Sequence, residues 1–140
     1  MQPLKSNDSK PSPDCPFCEP STERVLIEQK HFRLLWDGYP ISPGHVLIVP
    51  RRHIARWEET SQSEQRELIE AIGIAQAEIR KQHQPDGFNI GINDGVAAGQ
   101  TIPHLHVHVI PRYAGDLGDP RGGVRWIIPE RADYWSDREE

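Results

Sequence analysis

The chain has 140 residues, of which 36% are hydrophobic and 13 are proline, and its mean hydropathy is −0.66. Sixteen lysines and arginines against 21 aspartates and glutamates leave a formal net charge of −5, which argues against nucleic-acid binding through a broad basic surface. No run approaches the roughly 18 apolar residues of a membrane span. The opening segment 1–14 lacks the apolar core of a secretory leader, and two cysteines three positions apart make poor disulfide partners, so a cytoplasmic setting is expected.

Residues 1–14, rich in Ser, Pro, Asp and Lys, are expected to form a flexible tail. The remainder, 15–140, has the length of one modest domain. Cys15-Pro16-Phe17-Cys18 opens it, and short strands are predicted over 24–27 and 31–36, followed by a turn-rich loop at 37–40. The apolar run 45–49, closed by Pro50, predicts a central strand. Ser61 and Glu64 have the spacing of a capping box, and Leu68, Ile72, Ala75 and Ile79 recur at intervals of three and four. A long helix is therefore expected, with Lys81 and His83 near its C-terminal end and Pro85-Asp86-Gly87 stopping it. Residues 88–93 predict another strand, then comes a Gly/Ala-rich loop at 94–100, a strand over 104–110, and a short strand-like piece within 122–129. The economical arrangement is α+β, an antiparallel sheet of about five strands with one main helix packed on it.

The chemistry concentrates in His104-Leu105-His106-Val107-His108-Val109-Ile110, which holds three of the seven histidines. An extended backbone places His104, His106 and His108 on one side, and Leu105, Val107 and Val109 on the other. Such a face can be a three-histidine metal site or can serve nucleophilic catalysis, and the pattern alone leaves both open. The preceding loop favours an anion nearby: its small residues let backbone N–H groups approach closely, and Asn93, Gln100 and Thr101 are neutral donors. Cys15 and Cys18 are half of a tetrahedral metal site, or a redox dithiol. Arg51 and Arg52 read as surface charges. Arg112 ends the histidine strand where it can face a polyphosphate, and Arg121, Arg125 and Trp126 surround Gly122-Gly123.

The segment from Gly99 to Arg112 resembles the signature of the histidine triad (HIT) superfamily, His-φ-His-φ-His-φ-φ with φ hydrophobic, and matches it at every position. Ile41 to Ile54 resembles the upstream strand of the same family, so the likeness covers roughly residues 15–112, and the chain from about 113 lies outside it as an extension. The resemblance implies that His106 attacks the α-phosphorus of a nucleotide, giving a nucleotidyl-histidine intermediate that water hydrolyses. It implies that His108 touches the phosphate or leaving-group oxygen, that His45 and His104 support the site, and that Asn93, Thr101 and Gln100 contact phosphate. Asp37 is then expected on the ribose hydroxyls. Leu35, with Trp36 and Ile27, would line an apolar slot for the base or belong to the core.

Branches of the superfamily that include galactose-1-phosphate uridylyltransferase pair two such cysteines with two histidines, which here implies a structural zinc on Cys15, Cys18, His53 and His104 and no catalytic metal. Uridylyltransferases carry Gln at the third histidine position, so His108 favours hydrolysis. The resulting expectation is a purine nucleotide hydrolase acting on dinucleoside polyphosphates, commonly a homodimer. A nucleoside phosphoramidate hydrolase and a non-catalytic nucleotide-binding module are the alternatives.

Overall fold

The computed structural model describes Pro11 and residues 14–138; the tail expected at the start falls almost wholly outside the described residues. Five strands form one antiparallel sheet: β1 (Val25–Glu28), β2 (Phe32–Trp36), β3 (Val46–Pro50), β4 (Gly87–Ile92) and β5 (Val107–Arg112), in the spatial order β1-β2-β3-β5-β4. The long helix α1 (Gln62–Gln82) lies between β3 and β4 in the chain, and a short helix α2 (Pro129–Ala132) lies near the end.

Helix α1 starts where the sequence places it. Ser61 accepts from the Glu64 backbone N–H at 3.1 Å, and Glu64 accepts from the Ser61 N–H at 2.7 Å, completing the capping box. The same buried carboxylate takes two hydrogen bonds from Arg52, so Arg52 is engaged in fixing the helix start and is not the loose surface charge expected of it. Leu68, Ala71, Ala75 and Ile79 form the buried stripe, and Ile72 packs partly buried beside it. The stripe covers one face of the sheet, where Phe32, Leu34, Val46, Ile48, Val107 and Val109 complete the main core. Burying the helix stripe against these apolar side chains is what holds the sheet against α1. No helix among the described residues is long and apolar enough to cross a membrane.

Strict alternation then decides the other face. Leu35, Leu47, His108 and Gly91 stand opposite one another across β2, β3, β5 and β4 and form a single row. Leu35, Leu47 and Val49 join Cys15, Phe17 and Cys18 in a second buried cluster on this side, so the N-terminal knuckle roofs part of the sheet that α1 leaves uncovered.

Two predicted elements differ. The histidine strand begins at Val107, not at His104, because residues 104–106 bond to the segment after β3 instead of to a neighbouring strand. The Leu105 N–H donates to the Ile54 carbonyl at 2.7 Å, and the His104 ring nitrogen Nε2 reaches the Pro50 carbonyl at 2.8 Å. The piece within 122–129 is a 3-10 turn over Gly123–Ile127, not a strand. Gly122 and Gly123 take φ values of +94° and +48°, which reverse the chain, and the Arg125 side chain closes the turn on the Ala132 carbonyl at 2.9 Å.

Candidate active site and metal centre

The open face of the sheet carries two adjoining clusters. In the first, Cys15, Cys18, His53 and His104 are all buried and bring their ligand atoms within 4.8 Å of one another. Cys15 Sγ lies 3.3 Å from His104 Nδ1, Cys18 Sγ lies 3.1 Å from His53 Nδ1, and the two Nδ1 atoms are 3.1 Å apart. A tetrahedral zinc with bonds of about 2.0 Å to nitrogen and about 2.3 Å to sulfur spaces its ligands roughly 3.3–3.8 Å apart, close to these separations. His104 donates Nε2–H to the Pro50 carbonyl, which leaves a lone pair on Nδ1, aimed at the two sulfurs. Burial holds the His104 ring neutral, with its pKa pushed down to about 4. Two thiols and two neutral imidazoles converging without a carboxylate are the donor set a soft, four-coordinate cation takes.

His106 stands next to this cluster. Its Nδ1–H donates to the His104 carbonyl at 2.8 Å, so the proton is fixed on Nδ1 and the Nε2 lone pair is available. Phe17, one of the two residues between the cysteines, packs on both rings, with centroids 5.0 Å from His106 and 5.9 Å from His104. The knuckle therefore seats the imidazole from one side while His104 holds it from another. His106 is 7% exposed, enough for one edge to meet a substrate.

His108 follows on the same side, its ring centroid 5.2 Å from that of His106. His45 is buried beneath it. The Ile41 N–H donates to His45 Nδ1 at 3.3 Å, which places the His45 proton on Nε2, 2.9 Å from His108 Nδ1 and 3.2 Å from Asp37 Oδ2. His108 in turn is left with its proton on Nε2, a donor presented to the site. Burial, then the neighbouring His106 and His45, push the His108 pKa down to about 4; burial also lowers that of His45, with Asp37 opposing.

The native state thus resists protonation of His45 and His108 while the unfolded chain accepts protons near pH 6.5. Stability rises with pH across that interval and is lost as pH falls from about 6.5 toward 4. Denaturant midpoints measured at pH 7, 5.5 and 4.5 are expected to drop stepwise, with a shallower decline in His108→Gln; equal declines in both proteins would refute the assignment.

The remaining expected residues divide. Asp37 accepts from the Tyr39 N–H at 2.9 Å through Oδ1 and faces the His45–His108 pair through Oδ2. Asn93 and Thr101 are exposed at the two ends of the loop that joins β4 to the histidine segment. Gln100 corrects the sequence reading. It is buried, its Oε1 accepts from the Gly95 N–H, and its Nε2 donates to the carbonyls of Ala55 and Ile102, so its amide pins the loop and has no donor left for phosphate. Leu35 is fully buried against Leu47 and the knuckle, and belongs to the floor under the site, not to a base-contacting wall. Arg112 also departs from expectation. It is occupied by Asp116 and by Asn89 Oδ1, each at 2.8 Å. Sequence reasoning passed over Phe17, whose only local signal is an aromatic between two ligands. It also passed over Asp94, whose carboxylate accepts from Arg56 and from the Trp57 N–H and ties the loop to the His53 segment.

Fold and site together define an α+β protein with a cluster of mostly buried imidazoles on the open face of a five-stranded antiparallel sheet. The HIT domain model matches residues 19–115, more than half of the chain, and the chain belongs to that family. It is 35% identical over 116 residues to bis(5'-adenosyl)-triphosphatase of Saccharomyces cerevisiae, covering 81% of this chain and 53% of the relative. It is 45% identical over 80 residues to the asymmetrical bis(5'-nucleosyl)-tetraphosphatase of Schizosaccharomyces pombe, covering 57% of this chain and 44% of that one. The chain thus spans about half the length of these curated relatives. Among solved structures, a zinc-bound histidine triad family protein from Mycobacterium smegmatis superimposes with a TM-score of 0.65 at 34% identity, covering 74% of this chain and 78% of that one.

Proposed function

We propose that the protein hydrolyses dinucleoside polyphosphates at the α-phosphorus through a nucleotidyl-His106 intermediate. The observation that carries this reading is the hydrogen bond from His106 Nδ1–H to the His104 carbonyl, which leaves the Nε2 lone pair as the nucleophile. The two yeast relatives, named for triphosphatase and tetraphosphatase activity on dinucleoside substrates, support the same substrate class.

In the first step His106 Nε2 forms a bond to the α-phosphorus while the bond to the bridging oxygen breaks, and the leaving nucleotide takes the electron pair. That leaving group is a weakly basic phosphate anion, so a hydrogen bond from His108 Nε2–H serves it without full proton transfer. His45 holds His108 in the tautomer that makes this possible. In the second step water attacks the same phosphorus, the P–N bond breaks, and imidazole is restored as the water proton passes to solvent. Asp37, which retains unused lone pairs, accepts from the ribose hydroxyls, and Asn93 and Thr101 donate to phosphate oxygens.

Cys15, Cys18, His53 and His104 would hold a zinc, and its role when bound is to brace the knuckle and the His104 backbone under the nucleophile, not to activate water. Donor chemistry, spacing and the zinc-bound M. smegmatis protein support that choice of metal. Two thiols at these positions suit a reducing, cytoplasmic setting. The exposed β4 edge of the sheet suits pairing as a homodimer.

Turnover of diadenosine triphosphate in 18O-water tests the reading. AMP and ADP are expected, with the label in AMP alone. Label in ADP would overturn attack at the α-phosphorus of the retained half. Faster cleavage of adenosine phosphoramidate, with the same label in AMP, would move the substrate class to phosphoramidates while keeping the chemistry.

A further inference from the structure

Beyond the histidines lies an open cavity of about 660 Å3, walled by Ile41, Pro43, Ile110, Leu117, Val124 and Trp126, with Asn89 and Arg112 on its floor. This cavity lies on the catalytic face of the sheet. Ile110 and Arg112 follow His108 at alternate positions of β5, so they stand about 7 and about 13 Å farther along the same side. Its near rim is tied to the reactive histidines, because Ile41 donates to His45 and the neighbouring Ser42 hydroxyl donates to the Pro111 carbonyl.

The polar floor is already neutralised. Asp116 accepts two hydrogen bonds from the Arg112 guanidinium, and that pairing holds its carboxyl down to about 2. Asn89 Oδ1 takes a third bond from the same guanidinium, while Asn89 Nδ2 is directed at Gly123. A cavity with exposed apolar walls, an indole and a self-compensated ion pair suits a neutral, flat, aromatic guest better than a phosphate. Trp126 is held in place at this wall. Its indole N–H donates to the Arg121 carbonyl at 2.7 Å, and the residue is 45% exposed. Gly122 leaves room for it, since a Cβ there would meet the indole nitrogen at 3.2 Å and the Trp135 ring at 3.0 Å. The volume falls within the range of small-molecule pockets.

We infer that this cavity is the subsite for the leaving nucleoside of a dinucleoside polyphosphate, with its base stacked on Trp126 and its phosphates running back along β5 toward His108. The inference rests on the hydrolase reading, and it names the part of the substrate that lies beyond the scissile bond. It gives residues 117–127 a role in substrate choice, since a substrate with a small leaving group does not reach them.

The test compares Trp126→Ala and Trp126→Phe on diadenosine triphosphate and on adenosine phosphoramidate. For Trp126→Ala, kcat/KM on the dinucleotide is expected to fall roughly tenfold more than on the phosphoramidate, the loss expected of one base–aromatic stack. Trp126→Phe is expected to recover most of the difference, because it keeps a stacking face and loses only the bond to Arg121. Equal losses on the two substrates, or a Phe variant as poor as Ala, would make Trp126 a prop for the turn and overturn the subsite. So would a wild-type dimer that Trp126→Ala converts to monomer in sedimentation, which would make the cavity a contact between two copies of the chain. Calorimetry of diadenosine triphosphate with His106→Ala, and with His106→Ala/Trp126→Ala, reads the subsite without turnover. Equal affinities there overturn the subsite even if hydrolysis is intact. A wild-type protein that cleaves neither substrate overturns the hydrolase reading, and an affinity difference between the two inert variants would still support the cavity.

Discussion

Replacing His106 with alanine is expected to lower kcat/KM for diadenosine triphosphate by at least about a thousandfold, because the side chain that forms the covalent bond is removed outright. The variant should keep its fold. Among the described residues the His106 side chain makes one hydrogen bond, to a carbonyl of its own segment, and the metal-cluster residues are unchanged. Brief incubation of wild type with substrate, followed by a denaturant quench at alkaline pH, where a P–N bond survives, and intact-mass measurement, should reveal an adduct of one nucleoside monophosphate, absent from His106→Ala. A variant that retains a tenth of the activity, or that still forms the adduct, would move the nucleophile elsewhere. His108→Ala provides the contrast: it should slow turnover while still permitting adduct formation, since His108 serves the leaving oxygen and not the bond to phosphorus.

Removing the metal is expected to act on stability first. Wild-type protein should contain one zinc per chain by elemental analysis, and Cys18→Ser should lose it. The binding free energy of a structural zinc is folding free energy, so several kcal/mol disappear with the metal. At this chain length one kcal/mol is worth about 3 °C, and the expected fall in Tm is about 10 °C or more. His106→Ala should retain a full equivalent of zinc, which separates the cluster of Cys15, Cys18, His53 and His104 from the nucleophile. A second equivalent that vanishes with His106→Ala would instead make the three histidines a catalytic metal site. Metal-free wild type with a Cys15–Cys18 disulfide would make the knuckle a redox pair.

The two clusters meet in one residue. His104 offers its ring to the metal cluster and its carbonyl to His106, and Phe17 reaches both rings from between the cysteines. A shift in the knuckle therefore moves the nucleophile directly, with no intervening element.

Much of this was legible from short-range pattern. Helix α1 begins at the capping box formed by Ser61 and Glu64 and buries the three-four stripe, because both signals are local and the helix satisfies them within a few residues. Strands β1 to β4 fall within a residue or so of their apolar runs. The histidine spacing also kept its meaning where the strand did not: His106 and His108 share a face, although 104–106 are not paired in the sheet. The errors were of another kind. Gln100 has the chemistry of a phosphate donor, and nothing in its neighbours reveals that Ala55, far away in sequence, takes its amide. Arg52 and Arg112 have the look of spare positive charge until Glu64 and Asp116 are seen beside them. The glycine pair at 122–123 turned an expected strand into a 3-10 turn.

The sequence by itself determined the helix, the alternation of the strands, the family and the residue types of the chemistry, since periodicity and spacing are properties of the chain alone. Only the tertiary structure decided how the histidines divide their work. Proton placement on His106, His45 and His108 depends on a carbonyl, an amide and a second imidazole that the fold delivers, and an imidazole's role is set by which of its two nitrogens has its proton fixed.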